Sequence, residues 1–170
     1  EKLAQLVAML AQCEQHIEDD TPLADVLPTI FNKYPVRYRD YTLRELCQEM
    51  HDLYVSFDVK DLQKAMFRQE SLPAVAMNPQ DANSAFIRGD VELVRICDAA
   101  GRVAAEGALP YPPGVLCMVP GEIWGGAVQR YFLALEEGVN LLPGFSPELQ
   151  GVYSETDADG IKRLYGYVVK

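Results

Sequence analysis

The sequence predicts an α+β fold: an N-terminal helical segment followed by a small domain of short β-strands with a helix packed on them. Three observations predict it. Apolar residues recur at three- and four-residue steps through the first seventy positions. Beyond Leu72 and Pro73 these give way to short β-like runs separated by Pro, Gly, Asn and Asp, and one amphipathic stretch returns between Ala127 and Leu135. We therefore expect a helical connecting segment over residues 1–72 and an α+β domain over residues 73–170.

Each element has its own signal. Leu3, Leu6, Val7, Leu10, Cys13 and Ile17 define a first helix. Asp19, Asp20 and Thr21 offer caps for a second, with Pro22 in its first turn and Leu23, Val26, Leu27, Ile30 and Phe31 as its stripe. Pro28 lies inside that stripe and should kink or break it, because proline lacks the amide that the helix needs. Thr42 and Glu45 form a capping box ahead of Leu43, Leu46, Cys47, Met50, Leu53, Tyr54 and Phe57, and Asp58 reads as the cap of a last helix through Val59, Leu62 and Met66. Pro79, Asp81 and Asn83 read as a loop, followed by strands at Ala85 to Arg88, Val91 to Cys97, Val103 to Ala105 and Leu116 to Val119. A helix after Glu122 carries Ala127, Val128, Tyr131, Phe132 and Leu135 and should close at Gly138. Gln150 to Ser154 and Lys162 to Val169 flank a hairpin turn through Asp159 and Gly160, and Tyr153, Tyr165 and Tyr167 around it could form an interface but read more readily as core.

Composition bounds the function. The 170 residues suffice for a hydrophobic core without staples. A formal charge of −10, with 25 acidic against 15 scattered basic side chains, argues against a nucleic-acid partner and is compatible with a basic amino acid or diamine. No apolar run reaches the about 20 residues that span a bilayer, so no membrane partner is expected. Cys13, Cys47, Cys97 and Cys117 form no CxxC pair, and the first three occupy apolar positions of periodic segments, which points to a reduced, cytoplasmic protein. His16 and His51 have no ligand spacing to a cysteine, so no metal is expected. The first residue is Glu1, and helical periodicity runs from the start, so we expect a piece of a longer polypeptide.

Between Leu109 and Glu122 the chain places four prolines and two glycines in 14 residues around the apolar run VLCMV. Proline fixes φ and glycine permits close backbone approach, so this is a rigid, shaped loop. It could line a site or simply turn two corners of a small domain. Glu122 follows Pro120 and Gly121 just before a helix, where unpaired amides and the helix dipole favour a carboxylate whether or not a substrate is near.

The run GRVAAEGALPYPPGVLCMVPGE resembles the C-terminal domain of the fold-type-I pyridoxal-phosphate ornithine, lysine and arginine decarboxylases. A strand (Val91 to Ile96), a Gly-Arg turn (Gly101, Arg102), a Pro-Tyr-Pro-Pro-Gly loop (Pro110 to Gly114) and a Pro-Gly-Glu strand end (Pro120 to Glu122) recur there in this order and spacing. Looser similarity runs from about residue 70 to the C-terminus, and the helical first part resembles the segment that joins the catalytic core to this domain. The block IWGGAVQRYFLALEEGVNLLPGFSPELQGVY is similar to ornithine-specific members, and Leu116 stands where lysine and arginine enzymes usually carry proline.

The resemblance implies a parent enzyme that decarboxylates L-ornithine to putrescine in polyamine synthesis, using pyridoxal phosphate held by a lysine in a Ser-x-His-Lys type sequence. Lysine or arginine as substrate, and a stand-alone oligomerisation module, are the alternatives. None of Lys2, Lys33, Lys60, Lys64, Lys162 and Lys170 has a preceding histidine, and no glycine-rich phosphate loop opens a helix. The segment is therefore expected to hold neither cofactor nor catalytic residues and to be inactive alone. Its expected roles are structure, contacts with the catalytic core of the same polypeptide and within a homo-oligomer (dimer or higher), and a substrate entrance at Tyr111, Pro112, Pro113, Gly114 and Glu122.

Overall fold

Capping and breaking residues set the helices of the first part. The computed structural model describes residues 2–112 and 114–170, and the chain divides into two compact units, Glu1–Leu53 and Tyr54–Lys170. In the first, α1 (Lys2–Glu18) ends where the Arg44 guanidinium donates to the Ile17 and Glu18 carbonyls at 2.9 and 2.7 Å, satisfying acceptors that a helix end leaves open. Pro28 divides the next stripe into α2 (Leu23–Val26) and α3 (Pro28–Lys33), as its missing amide requires. Asp19, Asp20 and Thr21 do not cap α2, whose flanking residue is Pro22; Asp20 instead pairs with Arg44 at 3.1 Å.

α4 (Leu43–Ser56) starts at the expected capping box: the Glu45 amide donates to Thr42 Oγ1 at 3.2 Å, and the Thr42 amide donates to the Glu45 carboxylate at 2.8 Å. Leu23, Tyr38, Leu43, Leu46 and Leu53 form the interior of this unit. Beside Tyr38, Arg37 reaches both carboxylate oxygens of Glu49 at 2.6 Å and lies over the rings of Tyr38 and Tyr41. Burial pushes the Tyr38 hydroxyl up to about 12.

In the second unit α5 (Val59–Ala65) packs on α7 (Gly126–Leu141). Asp58 precedes α5 in a left-handed conformation and its side chain makes no cap. Val128, Tyr131, Phe132 and Val139 of α7 are buried, and Phe132 meets Trp124 edge to face at 5.6 Å. α7 does not close at Gly138; it continues to Leu141, and the Leu142 amide donates to the Gly138 carbonyl.

Two antiparallel sheets complete the unit. One has the order β1-β5-β4, from β1 (Val91–Arg95), β4 (Tyr153–Thr156) and β5 (Lys162–Val169); the other pairs β2 (Leu109–Tyr111) with β3 (Glu148–Gln150). Along β5, Leu164, Gly166 and Val168 are buried while Tyr165 and Tyr167 on the opposite face are half-buried, and Tyr153 is exposed, so the three tyrosines are not core. The β4–β5 hairpin turns as expected through Asp159 and Gly160, with the Asp157 carboxylate accepting the Asp159 and Ile161 amides at 3.0 and 2.9 Å.

Several expected strands are corrected. Ala85 to Arg88 is the end of α6 (Pro79–Arg88), not a strand: the Asn78 side chain accepts the Gln80 amide at 2.9 Å, Pro79 takes the first turn, and Gly89 closes the helix at φ +79°. Ile96 and Cys97 leave β1 as a 3-10 turn. Leu116 to Val119 and Val103 to Ala105 make only isolated bridges, at Ala108–Met118, Val103–Ile123 and Ala104–Val168. Gln150 to Ser154 is divided by Gly151 at φ +70°, where any Cβ would run into the Gly107 carbonyl. Cys13, Cys47 and Cys97 lie exposed, and Cys117 alone is buried.

Candidate functional site

The segment that carries the sequence signature is built into the second unit by backbone pairing. Val119, Pro120, Gly121 and Glu122 form a tight turn in which Pro120 sets φ and Gly121 supplies φ +90°. The Glu122 amide donates to the Val119 carbonyl at 3.1 Å, and the Val119 amide donates back to the Glu122 carboxylate at 2.7 Å. A Cβ on Gly121 would collide with the Met77 carbonyl, so glycine is required there on two counts.

Chain runs on both sides clamp this turn. The Ala76 and Met77 amides donate to the Gly121 carbonyl at 2.9 and 3.2 Å, while the Gly121 amide donates to Ala104 and the Ala104 amide to Glu122, both at 2.7 Å. Gly101 and Arg102 exchange bonds of 2.9 Å with Trp124. The Gly-Arg turn and the Pro-Gly-Glu strand end, 20 residues apart in sequence, are thus adjacent. Arg102 also pairs with Glu92 on β1 at 3.0 Å.

The Pro110 to Gly114 loop lies within the chain that the Ala108–Met118 bridge closes. Tyr111 pairs with Glu148 of β3 and is 53% exposed, with its ring over Gly114, whose amide donates to the Pro110 carbonyl at 3.1 Å. Pro112 and Gly114 are exposed, and Pro113 lies outside the described residues. Pro110 borders an apolar cleft of about 270 Å³ together with Gln63, Met66, Phe67, Val115, Cys117 and Tyr131. Glu122 does not line it. In the sequence Met66 and Tyr131 read only as helix-stripe residues and Gln63 and Phe67 carry no signal; they come from α5, the residues just after it and α7 and meet the loop only on folding.

The chemistry of that cleft is unreactive. Burial pushes the Cys117 thiol up to about 11, leaving it protonated near neutrality, and its Sγ faces the Val115 carbonyl at 3.4 Å. Burial also raises the Tyr131 hydroxyl, which accepts from the Gln63 amide at 3.4 Å. All six lysines are exposed and none borders the cleft. The cleft therefore offers no amine to hold an aldehyde cofactor as an imine. Among the described residues no group of three or more His, Cys, Asp or Glu could hold a metal ion, and no helix is long and apolar enough to cross a membrane.

Residues 60–170 match the family described as Orn/Lys/Arg decarboxylase, C-terminal domain. The chain is 88% identical over 170 residues to the constitutive ornithine decarboxylase of Escherichia coli (strain K12), covering all of this chain and 24% of that protein. It is 67% identical over 169 residues to the inducible ornithine decarboxylase of the same strain, covering 99% of this chain and 23% of that one. Lysine decarboxylase A from Pseudomonas aeruginosa superposes with a TM-score of 0.87 at 31% identity, over 99% of this chain and 23% of the other. The chain spans about a quarter of the length of the curated relatives it matches.

Proposed function

Because this chain belongs to the Orn/Lys/Arg decarboxylase C-terminal domain family, we propose that it is the C-terminal portion of a pyridoxal-phosphate-dependent ornithine decarboxylase. The observation that carries the reading is identity of 88% to an ornithine enzyme along the whole chain, against 30% over 162 residues to the constitutive lysine decarboxylase of the same E. coli strain. In the parent, L-ornithine loses its α-carboxylate as carbon dioxide and gains a proton, giving putrescine for polyamine synthesis. Pyridoxal phosphate, bound outside this segment, supplies the electron sink for that loss.

The part played by these residues is architectural. The helical first part joins the catalytic core of the same polypeptide to the β-containing unit, and the parent works as a homo-oligomer, a dimer or larger. Tyr111, Pro112, Pro113, Gly114 and Glu122 form part of the substrate entrance. Support for that role comes from the exposed Tyr111 ring on a proline-fixed loop and the half-exposed Glu122 carboxylate in a molecule of net charge −10, which favours approach of a cationic amino acid. Three exposed free thiols support a reducing, cytoplasmic setting.

The full-length enzyme assayed on ornithine, lysine and arginine tests this reading. Ornithine and lysine differ by one methylene, for which a pocket discriminates by roughly 10- to 200-fold. Ornithine should give the highest kcat/KM by at least that margin; a preference for lysine or arginine would move the chain to a sister activity.

A further inference from the structure

The cleft bordered by Pro110 takes no part in the proposed reaction, yet its floor is made of buried groups. Met66, Cys117 and Tyr131, which form that floor with Pro110, are only 3%, 7% and 7% exposed. Gln63, Phe67 and Val115 stand at the rim. The floor residues come from β2, α7, the run after α5 and the run after Gly114, all in the second unit, so the hollow is a product of that unit's own packing. Protein interiors leave few voids larger than a water molecule, and an apolar cavity of about 150 Å³ already admits benzene. The hollow here measures about 270 Å³.

The lining defines what fits. No carboxylate, ammonium or guanidinium group borders the cleft, so a charged guest would be desolvated there without a counter-charge. A neutral molecule is selected. The rings of Phe67 and Tyr131 and the Met66 sulfur favour an aromatic one. Tyr131 adds a polar anchor: its hydroxyl accepts from the Gln63 amide at 3.4 Å, and among the described residues its own proton has no acceptor. With the Gln63 amide turned over, Tyr131 donates to the amide oxygen and the Gln63 N–H groups are left over instead. Either way the pair keeps one donor for a guest. The Cys117 thiol does not compete, since it faces the Val115 carbonyl at 3.4 Å.

We propose that this cleft is a binding site for a neutral, single-ring aromatic molecule carrying one hydrogen-bond acceptor, of the aryl ketone class. The ring lies among Met66, Phe67 and Tyr131, and the acceptor takes the spare proton of the Tyr131–Gln63 pair. Such a guest touches Pro110 and Val115, which flank the exposed Tyr111 to Gly114 loop, and so braces that loop at both ends. The site is independent of which amino acid the parent decarboxylates.

The test titrates the full-length enzyme with para-fluoroacetophenone and follows the fluorine resonance, with fluorobenzene as the probe that fills space but offers no carbonyl. Saturable ketone binding with a Kd of about 1 mM or below is expected for a ligand of this size. Val115→Trp, which fills the mouth of the cleft, should abolish binding of both probes. The double variant Gln63→Leu/Tyr131→Phe removes both donors; it should weaken the ketone about fivefold, the value of one hydrogen bond, and leave fluorobenzene unchanged. Absence of saturable binding, ketone binding that survives Val115→Trp, or a ketone Kd unmoved by the double variant would each overturn the proposal. Should the double variant fail to fold, Val115→Trp, at a position 47% exposed, carries the test alone.

Discussion

Glu122 and Val119 close the Pro120-Gly121 turn from both ends, the Glu122 amide donating to the Val119 carbonyl at 3.1 Å and the Val119 amide to the Glu122 carboxylate at 2.7 Å. The same carboxylate that marks the family signature is thus a hydrogen-bond acceptor for its own turn. Any role toward substrate is additional to that.

Two substitutions separate those roles in the full-length enzyme. Glu122→Ala removes the acceptor and leaves a half-buried amide unpaired, costing about 1–2 kcal/mol, read as a lower urea midpoint. Glu122→Gln keeps an acceptor and removes the charge. It should cost under about 1 kcal/mol and raise KM for ornithine severalfold with kcat held, if the charge assists entry. An unchanged KM would confine Glu122 to the turn.

Gly121 and Gly89 both have positive φ, +90° and +79°, but differ in surroundings. A methyl group at Gly121 meets the Met77 carbonyl, whereas at Gly89 it meets nothing within 4 Å. Gly89→Ala should cost about 1 kcal/mol of left-handed strain, and Gly121→Ala about 3 kcal/mol or more. Chemical unfolding of the two variants side by side checks the ordering; equal losses would mean that strain alone sets the cost.

Glu136 on α7 is nearly buried and accepts the Leu164 amide of β5 at 2.6 Å, with Arg95 and Arg163 each at 3.6 Å. Glu136→Ala strands the Leu164 amide and removes a carboxylate from Arg95, while Arg163 keeps Asp157 at 2.9 Å, for a loss of about 1–3 kcal/mol. Glu136→Gln can still accept from Leu164 and should recover part of it. A fall of less than about 0.5 kcal/mol for the alanine variant would show the helix–strand link to be incidental.

The Asp157 carboxyl is held below its ordinary value of 3.8, chiefly by the Ile161 amide, with Arg163 and the Asp159 amide adding to it. A depressed folded-state value means a stabilisation present above the unfolded value and lost as pH falls through the folded one. The thermal midpoint should therefore fall more steeply below about pH 3.8 in the parent chain than in Asp157→Asn. Identical acid limbs would remove Asp157 from the acid sensitivity.

Local chemistry made part of the fold legible. The Thr42–Glu45 box, the break at Pro28 and the Asp159-Gly160 hairpin are each decided within a few residues. α6 is hard to read because Pro79, Asp81 and Asn83 look like loop formers, although Asn78, Pro79 and Gly89 supply a full set of helix boundaries. The β2–β3 pair was missed because three-residue strands carry no periodicity, and their register is fixed only by partners about 40 residues away. Cys13 reads as a small hydrophobe in an apolar stripe, yet it lies exposed, because spacing alone does not say which face of a helix is covered. The candidate cleft was illegible for a similar reason, since Phe67, Val115 and Tyr131 converge through tertiary packing.

Carbon dioxide release from L-ornithine with added pyridoxal phosphate, measured on the full-length parent and on the 170-residue chain in one assay, tests the central claim most directly. The parent should release it and the chain should not, with no imine absorbance and no cofactor fixed by borohydride to any of the six lysines. Stoichiometric cofactor bound through a lysine of this chain, together with turnover by the chain alone, would contradict it.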